Sequence, residues 1–70
     1  MADSVYKIIE LVGTSNESWE KAAAAAIHKA EESLRDLRIA EVEKLDMHMH
    51  DGKIEYRAKV KVSFKYEGQH

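Results

Sequence analysis

The segment from Lys53 to Tyr66 constrains the fold more than any other part of the chain, because apolar and polar residues alternate along it at almost every position. Its apolar positions are Ile54, Tyr56, Ala58, Val60, Val62, Phe64 and Tyr66. The positions between them hold Lys53, Glu55, Arg57, Lys59, Lys61 and Lys65, among others. A period of two is that of a β-strand with one apolar and one polar face. The sequence therefore predicts a long strand that lies on a core.

A second strand, from about Ile39 to Met49, is predicted to pair with this one across a two-residue turn. The turn is Asp51-Gly52, a residue pair that hairpins favour because both of its positions need positive φ. The register that follows sets Met49 opposite Ile54, His48 opposite Glu55, Met47 opposite Tyr56, Asp46 opposite Arg57 and Leu45 opposite Ala58. Met47 and Met49 then fall on the apolar face, and we expect both in the core.

Continuing this register unchanged would set two like charges, Lys44 and Lys59, against each other. A one-residue β-bulge near Lys44 removes the conflict. The pairs after the bulge are Glu43 with Lys59, Val42 with Val60 and Glu41 with Lys61. Ile39 then becomes a lone large apolar residue on the same polar face as Arg57, which favours a binding site or a subunit contact there.

The first half of the chain is predicted to hold one strand and one helix. Residues 5–12 are β-branched and aromatic, carry apolar side chains on both faces and end at Gly13, which indicates a strand. Thr14 to Glu17 has the layout of a capping box, so we expect the helix cap there. Five consecutive alanines, Ala22 to Ala26, favour helix and leave a slim face that a sheet can approach closely. The resulting β-α-β-β order is an α+β fold, a three-stranded antiparallel sheet with one covering helix.

Residues 1–70 are expected to form a single domain that needs partners. A chain of this length buries only about 60% of the surface that its unfolded form exposes. It has no cysteine and no finger-like Cys/His spacing, so neither disulfides nor structural zinc compensate for the small core. Association with further copies of the chain is the remaining way to compensate for the small core. The first strand, which has apolar side chains on both faces, also favours association.

Charge and hydropathy exclude several classes of partner. A net charge of −2 gives no general attraction to nucleic acid or to an anionic membrane. No apolar run approaches the roughly 20 residues that span a bilayer, and Met1 to Ser4 lacks the layout of a signal peptide. We therefore expect a soluble cytoplasmic protein.

The residue types needed for catalysis do not occur together in this sequence. It has no cysteine nucleophile, no glycine-rich phosphate loop and no serine that the fold would bring together with both a histidine and an acid. We expect a binding protein and not an enzyme.

Two groups of polar residues on the hairpin can be interpreted either as binding sites or as ordinary solvent-exposed surface. Asp46, His48 and His50 alternate along one strand, which suits zinc, nickel or copper but also fits a solvated hairpin end. A row of basic residues lies along the last strand: Arg57, Lys59, Lys61 and Lys65. Such a row attracts phosphates unless carboxylates on the neighbouring strand neutralise it, and the predicted partners Glu41, Glu43 and Asp46 are placed to do so.

Over nearly its whole length the sequence resembles the dodecin family. The likeness lies in residues 5–15 (VYKIIELVGTS), the Ala-rich helix, Ala40-Glu41-Val42 and Lys61-Val62-Ser63-Phe64. The resemblance implies a hollow homododecamer in which each sheet wraps around its own helix. It also implies a storage or buffering role, with riboflavin-type ligands held between subunits and coenzyme A as a further ligand.

Two positions that the family uses for flavin are changed in this chain. In flavin-binding members a tryptophan stacks on the isoalloxazine ring and a glutamine on the last strand binds its polar edge. The corresponding positions here are Ile39 and Arg57, with Asp46 as a supporting residue opposite the arginine. Trp19, the only tryptophan, is expected on the core face of the helix. An isoleucine offers no aromatic face and an arginine cannot accept a hydrogen bond, so we expect weak or altered flavin binding.

Other parts of the sequence resemble a divergent, calcium-associated branch of the family. They are residues 18–20, 39–42, 46–47, 52–54 and 56–57. Calcium takes six to eight oxygen ligands, more than one strand supplies. Copies of Glu10, Glu41 or Glu43 around a symmetry axis are the candidate metal ligands. Three functions thus remain open: a small-molecule storage shell, a cation-binding shell, and a structural or interaction module.

Overall fold

The computed structural model describes residues 3–66, which form one sheet and one helix. The elements are β1 (Tyr6–Ser15), α1 (Trp19–Glu31), β2 (Leu37–His50) and β3 (Lys53–Lys65). The sheet order is β1-β3-β2, and both neighbouring pairs are antiparallel. The alternating segment is therefore the central strand, and the predicted β-α-β-β order is confirmed. Within residues 3–66, no helix is both long and apolar enough to cross a membrane.

The helix packs against β1 and β3 at very short range because the residues at the contact are small. Gly13 of β1 is buried, and a Cβ atom built on it would overlap the carbonyl oxygen of Ala22 and lie 3.0 Å from the Cβ of Ala26. Only a glycine therefore allows the strand backbone to come this close to the helix backbone. The alanine run supplies the matching slim face of the helix, as the sequence predicts.

The buried core of residues 3–66 is small in volume. Its members are Ala22, Ala26, Ala30, Ala58, Val60 and Val62. The described chain extends over 55 × 20 × 15 Å and has a radius of gyration of 14.6 Å. A compact domain of this length would have a radius of roughly 11 Å. The chain is thus too elongated to cover its own apolar surface.

The hairpin between β2 and β3 has the predicted turn and register. Asp51 and Gly52 both have positive φ, 51° and 73°, as a type I′ turn requires. The five pairs predicted nearest the turn all occur. The pairing of β1 with β3 stops at Ser15 opposite Tyr56, so the tip of the hairpin extends beyond β1.

A bulge near Lys44 is confirmed, but the predicted pair of Glu43 with Lys59 is wrong. The structure tolerates Lys44 opposite Lys59 because Glu10 and Glu43 lie 3.5 and 4.0 Å from the Nζ atom of Lys59. The register shifts between Val42 and Lys44, so Glu43 is the extra residue and Lys44 keeps Lys59 as its partner. The predicted pairs Val42 with Val60 and Glu41 with Lys61 follow. A second irregularity, between Leu37 and Ile39, was not predicted.

The predicted helix cap is wrong. Thr14 and Ser15 belong to β1, where they pair with Arg57 and Tyr56, so the sheet ladder takes the residues that a capping box needed. The cap is Ser18, whose side-chain oxygen accepts a hydrogen bond from the backbone N–H of Lys21 at 3.1 Å. A serine in this role satisfies one of the unpaired N–H groups of the first turn.

Met47 and Met49 are not in the core of the described chain, contrary to our expectation. Their exposed fractions are 45% and 73%. Both lie on the helix side of the sheet, but the helix covers β1 and β3, and beyond Leu37 it leaves that side of β2 largely uncovered. We call the exposed apolar residues of this region the bare strip; they are Val42, Leu45, Met47, Met49 and Ile54.

The Gly13 contact predicts that Gly13→Ala is strongly destabilising. The added methyl group meets helix backbone, so the helix must move away, and overpacking of this kind costs typically about 1–3 kcal/mol or more. The control is Gly52→Ala, which meets nothing within 4 Å and carries only the penalty of its positive φ, roughly 1–2 kcal/mol. Thermal unfolding should show the larger loss at Gly13. An equal or smaller loss there would contradict the close-contact account.

Candidate functional site

The six residues proposed from the sequence for the flavin and calcium sites lie on one face of the sheet. This face, opposite the helix, is called the outer face below. It carries the odd-numbered residues of β3 and their neighbours on β1 and β2. The six residues are Glu10, Ile39, Glu41, Glu43, Asp46 and Arg57. The bulge at Glu43 makes this possible, because it keeps Glu41 and Ile39 on the same side as Asp46.

Arg57 is held by a two-pronged ion pair with Asp46 across the β2–β3 ladder. The Nε atom of Arg57 donates to Oδ1 of Asp46 at 2.8 Å, and Nη2 donates to Oδ2 at 3.2 Å. These hydrogen bonds lower the pKa of Asp46 and raise the pKa of Arg57. The planar fork of arginine matches a carboxylate in this geometry, so the guanidinium is already engaged.

Ile39 lies far from Arg57 within one chain. It pairs with Ser63, whereas Arg57 is near the middle of β3, and the two positions are roughly 20 Å apart along the strand. The side chain of Ile39 is 67% exposed. A ligand that contacts both residues at once must therefore lie where two chains meet.

Four alternating charges form a cluster across the three strands at the centre of the outer face. Glu43 lies 2.8 Å from the Nζ atom of Lys61 and 4.0 Å from that of Lys59. Glu10 lies 3.5 Å from Lys59 and 3.9 Å from Lys61. The hydrogen bond between Glu43 and Lys61 lowers the pKa of Glu43 and raises that of Lys61. Two of the three candidate metal ligands thus already have lysine partners.

Glu41 differs from the other two candidate metal ligands. It lies opposite Lys61 in the register, but within residues 3–66 it takes part in no ion pair. No group of three or more His, Cys, Asp or Glu side chains in that range is arranged to hold a metal ion. A calcium site would therefore need carboxylates from more than one chain.

The hairpin end does not bring Asp46, His48 and His50 together around one point. Asp46 is engaged by Arg57, as described above. His48 and His50 stack on each other, with ring centroids 5.9 Å apart and an angle of 23° between the ring planes. The three-residue metal site considered from the sequence is therefore not formed in the described chain.

Trp19 has a contact that the sequence did not reveal. Its indole N–H donates to the backbone carbonyl of Asp46 at 3.0 Å, and its ring meets the ring of Tyr56 edge-on at 5.1 Å. The first residue of the helix is thus tied to the hairpin next to the Arg57–Asp46 pair. The sequence gives little indication of this contact, because the indole N–H binds a backbone carbonyl, which any residue type could supply.

Comparison with known proteins places these features in a family. The dodecin family model matches residues 5–67. The chain is 52% identical over 63 residues to the calcium dodecin of Mycobacterium tuberculosis, covering 89% of both proteins. It is 39% identical over 64 residues to the dodecin of Thermus thermophilus, covering 90% of this chain and 93% of that protein.

Solved structures show the same fold. The crystal structure of the Mycobacterium tuberculosis calcium dodecin, described as having a novel calcium-binding site, has a TM-score of 0.86 at 48% identity and covers 96% of this chain and 97% of its own. The Streptomyces coelicolor dodecin has a TM-score of 0.91 at 28% identity, covering 99% of this chain and 100% of its own.

Proposed function

The chain belongs to the dodecin family, and from this premise we propose that residues 1–70 form one subunit of a hollow homododecameric shell that binds calcium. Its role is binding or storage, not catalysis. The observation that carries the choice of calcium is the 52% identity with a calcium dodecin over 89% of both chains. The flavin-binding role of the family has less support, because Ile39 and Arg57 occupy the two positions that flavin-binding members use.

The bare strip supports the assembly. Its five apolar side chains are between 45% and 73% exposed, and they form a contiguous row along β2 and the start of β3. A row of this kind is rare on monomeric proteins and is typical of a surface that another protein covers. The outer face adds further exposed apolar residues, Ile8, Val12 and Ile39, so both sides of the sheet have surface to bury.

The carboxylates of the outer face supply the ligand type that calcium prefers. Calcium binds oxygen atoms, and a carboxylate can offer one or two. Glu41 is the best candidate, because it has no lysine to displace within residues 3–66. Glu10 and Glu43 share Lys59 and Lys61, and those ion pairs would have to open. Copies of Glu41 from several subunits, with water, would complete the coordination.

Phosphate-bearing ligands such as coenzyme A have less support from the same cluster. Lys59 and Lys61 each face two carboxylates, Glu10 and Glu43, and Arg57 is held by Asp46. An anion would have to compete with carboxylates that are already in place.

Flavin binding is proposed to be weak. A flavin needs an aromatic face and a partner for the polar edge of its ring, and this chain offers an exposed aliphatic side chain and an engaged guanidinium. Trp19 cannot replace the missing aromatic face, because it is tied to Asp46 and Tyr56 on the helix side of the sheet.

Calcium titration tests the proposed function. Calcium at a hundredfold excess over its Kd should stabilise the assembly by about 2.7 kcal/mol, which thermal unfolding detects as a rise of several degrees in the melting temperature. Glu41→Gln should reduce this rise, and Glu43→Gln should reduce it less. The matched control is Glu31→Gln, the same change at an exposed position of the helix. A melting temperature that millimolar calcium leaves unchanged would contradict the calcium proposal.

Riboflavin fluorescence tests the proposed loss of flavin binding. Losing one aromatic stack and one matched hydrogen-bond pair costs on the order of 1–3 kcal/mol per site, or roughly tenfold to a hundredfold in affinity. The unmodified protein should barely quench riboflavin fluorescence, and Ile39→Trp with Arg57→Gln should restore much of the quenching. Arg57→Gln alone is the control, since it frees Asp46 without supplying an aromatic face. Tight quenching by the unmodified protein would refute the account.

A further inference from the structure

We propose that His48 and His50 form a second metal site, specific for late first-row transition-metal ions such as Zn²⁺, at the hairpin end of each subunit. It is separate from the proposed calcium site, both in position and in the chemistry of its donors. The site uses two imidazole nitrogens of one chain, and water completes the coordination.

The two histidines are placed on one face by the strand itself. They are two residues apart on β2, where Glu55 and Lys53 of β3 are their cross-strand partners. Residues at this spacing point to the same side of a sheet. Their rings are already stacked at 5.9 Å with nearly parallel planes. Both side chains are exposed, 59% for His48 and 73% for His50, so a metal ion and its water ligands can reach them.

A carboxylate lies beside one nitrogen of each ring. Nδ1 of His48 is 3.7 Å from Oε1 of Glu55, and Nε2 of His50 is 3.2 Å from Oδ2 of Asp51. Metal-binding histidines generally give their second N–H to a carboxylate or carbonyl, which fixes the tautomer and makes the other nitrogen a better donor. At 3.7 Å the contact between His48 and Glu55 is an ion-pair distance and not a hydrogen bond. With each ring N–H directed to its carboxylate, Nε2 of His48 and Nδ1 of His50 are left for the metal.

The two rings must tilt toward each other to bind one ion. Tetrahedral zinc with bonds of 2.0–2.1 Å places two donor nitrogens roughly 3.3 Å apart. The rings can make this movement because they are exposed, and the type I′ turn keeps the strand positions fixed beneath them. Metal binding therefore needs a change of side-chain rotamers and no change of the backbone.

Donor type decides which ion is bound. Imidazole suits zinc, copper and nickel, whereas calcium takes oxygen ligands. No third His, Cys, Asp or Glu of residues 3–66 joins the pair as a ligand, so the site is open and exchanges its metal more readily than a closed structural zinc site. A shell of such subunits would carry one exchangeable site on each hairpin.

Zinc titration of the full-length protein, followed by calorimetry, tests the proposal. The unmodified protein should bind about one Zn²⁺ per chain at the hairpin. His48→Gln and His50→Gln should each weaken this binding, by on the order of 10- to 100-fold, since even a lost partner of a ligand has effects of that size. His28→Gln is the matched control, because it makes the same change at an exposed position of the helix and should leave the affinity unaltered.

A further variant tests whether the neighbouring carboxylate contributes to zinc binding or whether the two histidines act alone. Glu55→Gln keeps both imidazoles but removes the carboxylate charge 3.7 Å from Nδ1 of His48, and it should lower the zinc affinity by about tenfold. Calcium-induced stabilisation should persist in every histidine variant, so failure of this proposal is distinguishable from failure of the calcium proposal. Unchanged zinc affinity in the His48→Gln, His50→Gln double variant, or no zinc binding by the unmodified protein, would overturn the inference.

Discussion

The close contact between Gly13 and the carbonyl of Ala22 determines the rest of the structure. Helix and sheet meet through glycine and alanine, so the interior of one chain holds only small side chains, the largest being Val60 and Val62. The chain folds around this contact but gains little apolar burial from it. Many large apolar residues are left on the surface, among them Ile8, Ile39 and Met49, where another subunit could cover them.

The small interior also explains what each face of the sheet leaves exposed. On the helix side, α1 covers β1 and the centre of β3 and leaves the bare strip exposed. On the outer face, charges pair across strands, and Glu41 is left without an ion-pair partner within residues 3–66. One chain therefore contains only part of each proposed site. Ile39 and Arg57 are too far apart to share a small ligand, and the carboxylates are too few to complete a calcium site. The proposed assembly would complete both.

Sequence reasoning succeeded where local rules decide the structure. The alternation of β3 and the Asp51-Gly52 turn predicted the register next to the turn, because cross-strand pairing acts between neighbouring residues. The sequence also predicted a bulge near Lys44, but the structure has Glu43 as the extra residue and keeps Lys44 opposite Lys59. The cap at Ser18 was missed because the extent of β1 depends on pairing with a distant strand. Met47 and Met49 have the pattern of core residues, and the sequence could not show that the helix leaves β2 uncovered.

We infer that the hydrophobic core of one chain is too small for the chain to be stable alone, and that twelve chains complete it by forming a closed shell. Native mass spectrometry during serial dilution to low concentration tests this most directly. The account predicts a single species of about twelve times the 8.0 kDa chain mass that persists on dilution, because each subunit buries its bare strip in the assembly. A folded monomer of 8.0 kDa as the main species would contradict it.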